Sequence, residues 1–423
     1  MTSKRIIKNK VFALVIFLLI GINIQAQYLL KPQFVFDGEN LHDSWVVLVE
    51  DNLITAVGSV NKIQTPEGTK TIMLEGKTLM PGIIEGHSHI LLHPYNETDW
   101  NDQVLKESHE ERAIRAAVHV QNSLMAGVTT MRDLGSEGAG YADVAVKQSI
   151  EKGIISGPRL LVAGPAIVAT GAYGPKGFHE GVDVPLGAEM VSGESECIAA
   201  VRRQFGNGAD FIKVYADYRW QAGASSQTTF MLDELVIMVK TAKTAGTYVV
   251  AHASTPEGMR NATLAGVETI EHGDGGTAEV FALMKEKGVA LCPTIAAGDA
   301  ISRYRGWDGS DATMPVRIKQ KKESFQLALK SGVKIAFGGD VGVFTHGENY
   351  REMELMVEYG MDTKSVLKSA TSGNASIFHL NQLGHIKAGF LADIIAVEGN
   401  PLEDIKNMRQ VDFVMKNGIT YKE

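Results

Sequence analysis

Between residues 79 and 385 short, β-branched apolar runs alternate with segments of helical spacing, and few folds accommodate that alternation. Parallel βα units bury such runs on both faces. Eight runs can be placed, at 82–87, 128–132, 159–163, 210–215, 247–252, 267–271, 288–293 and 333–338. Glu110 to Met125, Leu232 to Ala245 and Pro256 to Ala265 carry apolar residues at helical intervals between them. Gly127, Gly246, Gly266, Gly288 and Gly332 each fall just before a run, where a helix-ending glycine belongs. Eight such units predict an α/β fold, a closed (β/α)8 TIM-like barrel.

The ends of the chain have a different texture. Residues 27–78 read as short strands separated by turns, and 386–423 return to that pattern. The two ends are expected to pair into a small β-sandwich domain beside a barrel spanning 79–385. Ahead of both, Lys4, Arg5, Lys8 and Lys10 precede the apolar run Val11 to Ile22 and the small-residue end Ile24-Gln25-Ala26. That order is a secretory signal peptide, 1–26. The run is shorter than the ~20 residues of a membrane span. Export to the periplasm or beyond the cell is expected, with the mature chain starting near Gln27 and keeping no stable membrane span.

Composition narrows the partners. A formal charge of −8 without a long basic run gives no reason to expect nucleic acid or an anionic membrane surface. The two cysteines, Cys197 and Cys292, are far apart and support neither a disulfide framework nor a cysteine zinc site. Homo-oligomers are compatible with the sequence.

Five of the runs end on side chains that bind metals. His87 and His89 stand at i and i+2 where the first run gives out, and alternate strand residues share a face. Lys213, His252 and His272 close later runs, and Asp340 follows Phe337-Gly-Gly. Barrel strands bring their C-terminal ends to one mouth, where active sites lie. Ligands ending separate strands therefore belong to one site, and imidazole with carboxylate suits zinc and neighbouring divalent metals. Singly, each has a plainer role: His252 and His272 as buried histidines bonded to backbone, Asp340 as a helix N-cap. Lys213 leaves two readings open. As a buried neutral amine it reacts with CO2 to give a carbamate able to bridge two ions; as an ammonium it pairs with Asp210 or Asp217. Together the six predict two-metal hydrolysis, in which ions ~3.5–4 Å apart bring a shared water towards a pKa of ~7. Asp340 then takes its proton and passes it to the leaving amine.

At these residues the chain resembles the amidohydrolase superfamily, in the branch of imidazolonepropionase-like proteins and metal-dependent prolidases. The resemblance covers nearly the whole mature chain. Its motifs include Leu79-Met-Pro-Gly-Ile-Ile-Glu-Gly-His87-Ser-His89, Gly127-Val-Thr-Thr-Met-Arg-Asp133, Gly266-Val-Glu-Thr-Ile-Glu-His272-Gly, Phe337-Gly-Gly-Asp340 and Ala370-Thr-Ser-Gly-Asn-Ala375. It implies that His87, His89 and Asp340 hold one divalent ion, that His252 and His272 hold another, and that carboxylated Lys213 bridges them, with zinc the expected metal. It also implies hydrolysis of an amide bond in a small molecule, a dipeptide of Xaa-Pro type or an N-acyl amino acid. A cyclic amidase of imidazolonepropionase type, working with one metal, is the alternative; a non-catalytic metal-binding scaffold is a third reading.

The substrate side departs from the branch. Its peptidases tend to carry a tyrosine two residues after the fifth-strand histidine, where this chain has Ser254. Tyr215, Tyr218 and Arg219, just beyond Lys213, are candidates for the missing carbonyl donor. Thr170-Gly-Ala-Tyr173 stands where relatives often carry Gly-Gly-His, which makes Tyr173 and His179 candidate substrate contacts, and His346 beyond Asp340 is another. Arg132 and Asp133 read as a structural group beneath the site. His93, His109, His119, His379 and His385 read as surface or helix residues.

Overall fold

The computed structural model describes residues 27–423. The expected signal segment, 1–26, lies outside the described residues. Among the described residues no helix is long and apolar enough to cross a membrane.

The two ends of the described chain meet in one mixed sheet of eight strands. Gln27–Phe36 runs antiparallel to Trp45–Glu50 and parallel to Lys70–Pro81. On its other side Lys70–Pro81 takes Ile394–Glu398 antiparallel, with Ile395 opposite Met80, and Val411–Lys416 and Ile419–Lys422 extend the sheet. Alternation in these strands buries Leu30, Val47, Leu74, Ile394, Phe413 and Met415 in one cluster. Lys70–Pro81 runs through Gly82 into Ile83–Ser88, so the sheet feeds the first histidine-bearing strand directly. Only glycine fits at the junction, since a Cβ there would stand 2.1 Å from Thr129 Oγ1.

Between the ends the fold is α/β and TIM-barrel-like. Ile83–Ser88, Val128–Asp133 and Arg159–Val162 form one parallel sheet. Ile212–Tyr215, Val249–Ala253, Thr269–His272 and Ala290–Cys292 follow as consecutive parallel strands of a second. The sheets meet where Asp210 N donates to Val162 O and Val162 N donates to Asp210 Oδ2, both at 2.8 Å. The expected helices stand at His109–Met125, Leu232–Thr244 and Pro256–Ala265. The last begins on Thr255, whose hydroxyl accepts from Gly258 N, and ends on Gly266 at φ +88°, a conformation glycine adopts without penalty.

The sequence reading fails at two places. The run 333–338 forms no strand; it makes only a parallel bridge between Ile335 and Leu291, and a second bridge joins Val341 to Ser88. The run's backbone still bonds both neighbouring strands, Ala336 N to the Leu291 carbonyl at 2.8 Å and Gly86 N to the Phe337 carbonyl at 3.0 Å, while the Asn374 side chain also binds Phe337 N and O, at 3.1 and 2.8 Å. Two short parallel strands, Ile167–Ala169 and Glu189–Val191, were not anticipated. At three residues each they are too short for alternation to reveal.

Candidate metal centre

The strand ends bring the six candidate ligands together. His87 lies in Ile83–Ser88 with His89 just past it, Lys213 lies in Ile212–Tyr215, His252 in Val249–Ala253, and His272 ends Thr269–His272. Asp340 Oδ1 is 3.5 Å from His89 Nε2 and 3.7 Å from His87 Nε2. Ligand atoms of His87, His272 and Asp340 lie within 4.8 Å of one another. The His272 ring centroid is 5.0 Å from that of His87 and 4.5 Å from that of His252.

What each ring nitrogen already holds decides which one is free. His87 Nδ1 lies 2.8 Å from Glu271 Oε2, and His89 Nδ1 lies 3.0 Å from the Gly135 carbonyl. Both partners accept, so both Nδ1 atoms carry the proton and each Nε2 presents a lone pair. His272 Nδ1 is bonded to the Thr294 hydroxyl at 2.7 Å. His252 is turned the other way, its Nε2 lying 3.6 Å from Asp217 Oδ1. Among the described residues, His87 Nε2, His252 Nδ1, Asp340 Oδ1 and Lys213 Nζ are buried with no hydrogen-bond partner. Buried polar atoms are rarely left so, and four at one place fit a cation site.

The plainer roles are not what the geometry provides. Asp210 is bonded to Lys147 and Val162, and Asp217 to Ser254 and Thr255, so neither pairs with Lys213. The helix after Asp340 starts only at Tyr350, which rules out an N-cap role. His272 bonds a side chain through its ring, and His252 Nδ1 bonds nothing. Two of the six pay a backbone penalty: His272 has φ +74° and Asp340 φ +63°. Such conformations cost roughly 1–3 kcal/mol each away from glycine and persist where neighbours enforce them. Here Lys321 Nζ donates to the His272 carbonyl at 2.7 Å, and Asp340 N donates to the His87 carbonyl at 2.8 Å.

Burial sets the protonation. Desolvation, assisted by the nearby Lys213 charge, holds His87 well below the ordinary imidazole range and His252 at about 3. Desolvation also holds His272 far down, so all three rings are neutral, the state that binds metal. Desolvation lowers the Lys213 amine against the pull of Glu271 and Asp340, and it raises the Asp340 carboxyl.

Sequence reasoning missed the residues beneath the ligands. Glu271 grips His87 on one side and Arg132 on the other, Nη2 to Oε1 at 3.2 Å. Arg132, read as structural, also donates from Nε to the Gly86 carbonyl at 2.8 Å and lies 3.8 Å over the Phe378 ring. Glu85 Oε1 accepts from the backbone N of both His87 and Gly339, and Oε2 accepts from Asn349 Nδ2 at 2.7 Å. A signal existed: Glu85, His87 and His89 are spaced two apart, so the carboxylate shares the histidines' strand face. A second cluster, His87, Glu271 and Cys292, is no rival site. Its His87 and Glu271 atoms are spent on each other, and burial keeps the Cys292 thiol far above its usual range.

Four of the candidate ligands, His89, His252, His272 and Asp340, line a cavity of about 680 Å³. Tyr173, Tyr215, Tyr218, Arg219 and Ser254 line it, and Tyr215 stacks on the His252 ring with centroids 4.5 Å apart. Two substrate candidates are not brought in. His179 sits exposed on its loop, its Nδ1 accepting from Gly181 N, and its apolar neighbours Phe178 and Val182 are themselves exposed rather than anchored in the core. His346 is buried instead beside helix His109–Met125, stacked on His119 at 4.3 Å with Nε2 3.1 Å from the Leu92 carbonyl. The surface reading of His93 also fails, since it is buried and bonded to Glu107 at 2.8 Å.

Comparison with known proteins gives a consistent picture. The model of the amidohydrolase family matches residues 78–420. The ochratoxinase of Aspergillus niger is 31% identical over 425 residues, covering 91% of this chain and 84% of that protein. The crystal structure of a Xaa-Pro dipeptidase with methionine bound in its active site superposes with a TM-score of 0.83 at 31% identity, covering 94% of this chain and all of the other. A prolidase crystallised with N-methylphosphonate-L-proline superposes at 0.80 with 28% identity, covering 94% of this chain and 100% of that one.

Proposed function

This chain belongs to the amidohydrolase family and is a hydrolase, and from that premise we propose that it cleaves the amide bond of a dipeptide or N-acyl amino acid. We assign His87, His89 and Asp340 to one divalent ion and His252 and His272 to a second, with carboxylated Lys213 between them. The carbamate forms when the neutral Lys213 amine attacks CO2 and loses one N–H proton, which its burial without a carboxylate partner favours. When bound, the two ions, zinc the expected metal, supply Lewis-acid activation of a water and of the substrate carbonyl.

The chain's own residues do the rest. Glu271 and the Gly135 carbonyl fix the tautomers of His87 and His89. Asp340, its carboxyl raised by burial, takes a proton from the attacking water and returns it to the amine nitrogen as the C–N bond breaks. Tyr215 and Tyr218, whose rings lie 4.5 and 5.8 Å from that of His252, are the donors assigned to the carbonyl oxygen in place of a tyrosine at Ser254. The observation that carries the proposal is the set of four buried, unpartnered atoms on His87, His252, Asp340 and Lys213. An orphaned Lys213 disfavours the one-metal cyclic-amidase reading, which has no task for it.

We further propose that 1–26 directs export to the periplasm or medium, that 79–385 closes as a barrel, and that 27–78 with 386–423 forms a small sandwich. Turnover of a dipeptide and N-acyl amino acid panel by zinc- or manganese-loaded protein tests the activity; release of no amine from any member would refute it.

A further inference from the structure

Glu137 is a carboxylate that the chemistry above does not use. It lies in the loop after Val128–Asp133 at φ +48°, with 3% of its surface exposed. Buried Arg112 holds that loop by its backbone: Nη1 donates to the Glu137 carbonyl at 2.7 Å, Nη2 to Ser136 at 3.2 Å and Nε to Leu91 at 3.0 Å. The guanidinium thus fixes an unfavourable turn that sets Glu137 in the cavity wall. Oε2 accepts from Trp100 Nε1 at 2.8 Å and from the Tyr173 hydroxyl at 2.9 Å. Oε1 accepts no hydrogen bond among the described residues, and its near neighbour at 3.7 Å, His89 Nδ1, is committed to Gly135. Around it stand aromatic rings: Trp100 is edge-on to Tyr173 at 5.6 Å, and Tyr173 is 4.6 Å from Tyr215. A carboxylate with spare acceptor capacity among aromatic rings is a receptor for a cation.

The opposite charge lines the same cavity elsewhere. Arg219, over the Tyr218 ring, brings a guanidinium group from a loop, and Arg317, 3.4 Å from Asp274, brings another from the first turn of helix Val316–Ser331. One cavity therefore offers an anion receptor at its rim and a cation receptor beside a metal-binding histidine. We infer that it is built for a zwitterion, an unblocked dipeptide whose α-ammonium rests on Glu137 Oε1 and whose carboxylate faces the arginines. The inference rests on the amide-hydrolase reading and narrows it, because an N-acyl amino acid has no cation to offer. The ammonium of a dipeptide is one carbon from the scissile carbonyl, so a receptor next to His89 lies at the right remove.

The test compares the dipeptide that turns over fastest with its N-acetyl derivative and its des-amino acyl analogue, in wild type and in Glu137→Gln. The amide oxygen of glutamine keeps an acceptor for Trp100 and Tyr173, while the charge is lost. Wild type should favour the free dipeptide by about tenfold or more in kcat/KM, the scale of one charge-assisted hydrogen bond. That preference should fade above about pH 8, where the ammonium deprotonates. The substitution should collapse it, through KM more than kcat, at unchanged metal content. Equal or faster turnover of the acyl analogue by wild type would overturn the inference, as would a variant that slows all three equally or loses metal. Failure to cleave any amide would instead refute the activity itself.

Discussion

Oε2 of Glu271 lies 2.8 Å from Nδ1 of His87, and Oε1 of the same carboxylate is held by Arg132 at 3.2 Å. All three side chains are fully buried. The pair sets the tautomer that leaves the buried His87 Nε2 without a hydrogen-bond partner, so the fold alone orients this candidate ligand. Glu271→Gln keeps the shape and removes the charge. Metal affinity should fall by about 10–100-fold, measured by titration of the apoprotein. An unchanged affinity would make Glu271 a packing residue only.

Lys213→Ala should lose at least one ion per chain and most activity, with partial rescue by short carboxylic acids that stand in for the carbamate. Metal analysis and rates with and without added acetate check this. Both ions retained at full rate would contradict the bridging role.

Asp340→Asn should lower kcat far more than KM, because a proton acceptor acts in the transition state rather than in substrate binding. Steady-state kinetics on one dipeptide decide it. A rise in KM at constant kcat would move Asp340 from proton transfer to binding.

The buried histidines should make a pH-dependent contribution to stability. Burial holds the His252 pKa at about 3 and those of His87 and His272 well below the ordinary 6.5. Between those limits the unfolded chain takes up protons that these rings refuse in the fold, so their contribution falls as pH drops from 6.5 towards 3. Buried carboxyls act the other way, since desolvation raises Glu85 to about 7, Asp143 to about 6 and Glu352 to about 8. The His252 share is isolated by difference: the Tm of chelated wild type relative to chelated His252→Asn should fall between pH 7.5 and pH 4.5. A Tm difference that does not change with pH would mean that the His252 ring is not buried neutral.

Much of this centre is legible in the sequence, for a physical reason. Strand residues alternate in direction, so His87 and His89 had to share a face, and glycines before five of the eight runs marked where helices stop. Lys213, His252 and His272 could be placed because each closes a run of branched residues that only a buried strand accommodates. Asp340 was expected just past a strand, 333–338, that forms only a bridge at Ile335, although it does come to lie 3.5 Å from His89 Nε2. The side chain of Asn374, distant in sequence, binds both backbone groups of Phe337 there, a contact invisible to local pattern. The supporting carboxylates Glu85 and Glu271 were passed over because a lone glutamate in a strand usually faces solvent; the two-residue spacing from His87 marked Glu85, whereas for Glu271 only the fold shows the inward turn. His179 and His346 went astray because loop paths depend on tertiary contacts that local pattern does not record, as the His346 stack on His119 illustrates.

The central claim is that this family member works through two ions held by His87, His89, Lys213, His252, His272 and Asp340. Metal analysis of the purified protein, paired with amide hydrolysis before and after chelation, addresses it most directly. The account predicts two divalent ions per chain, activity lost with them and restored on adding zinc or manganese. A full rate after verified removal of both ions would contradict it.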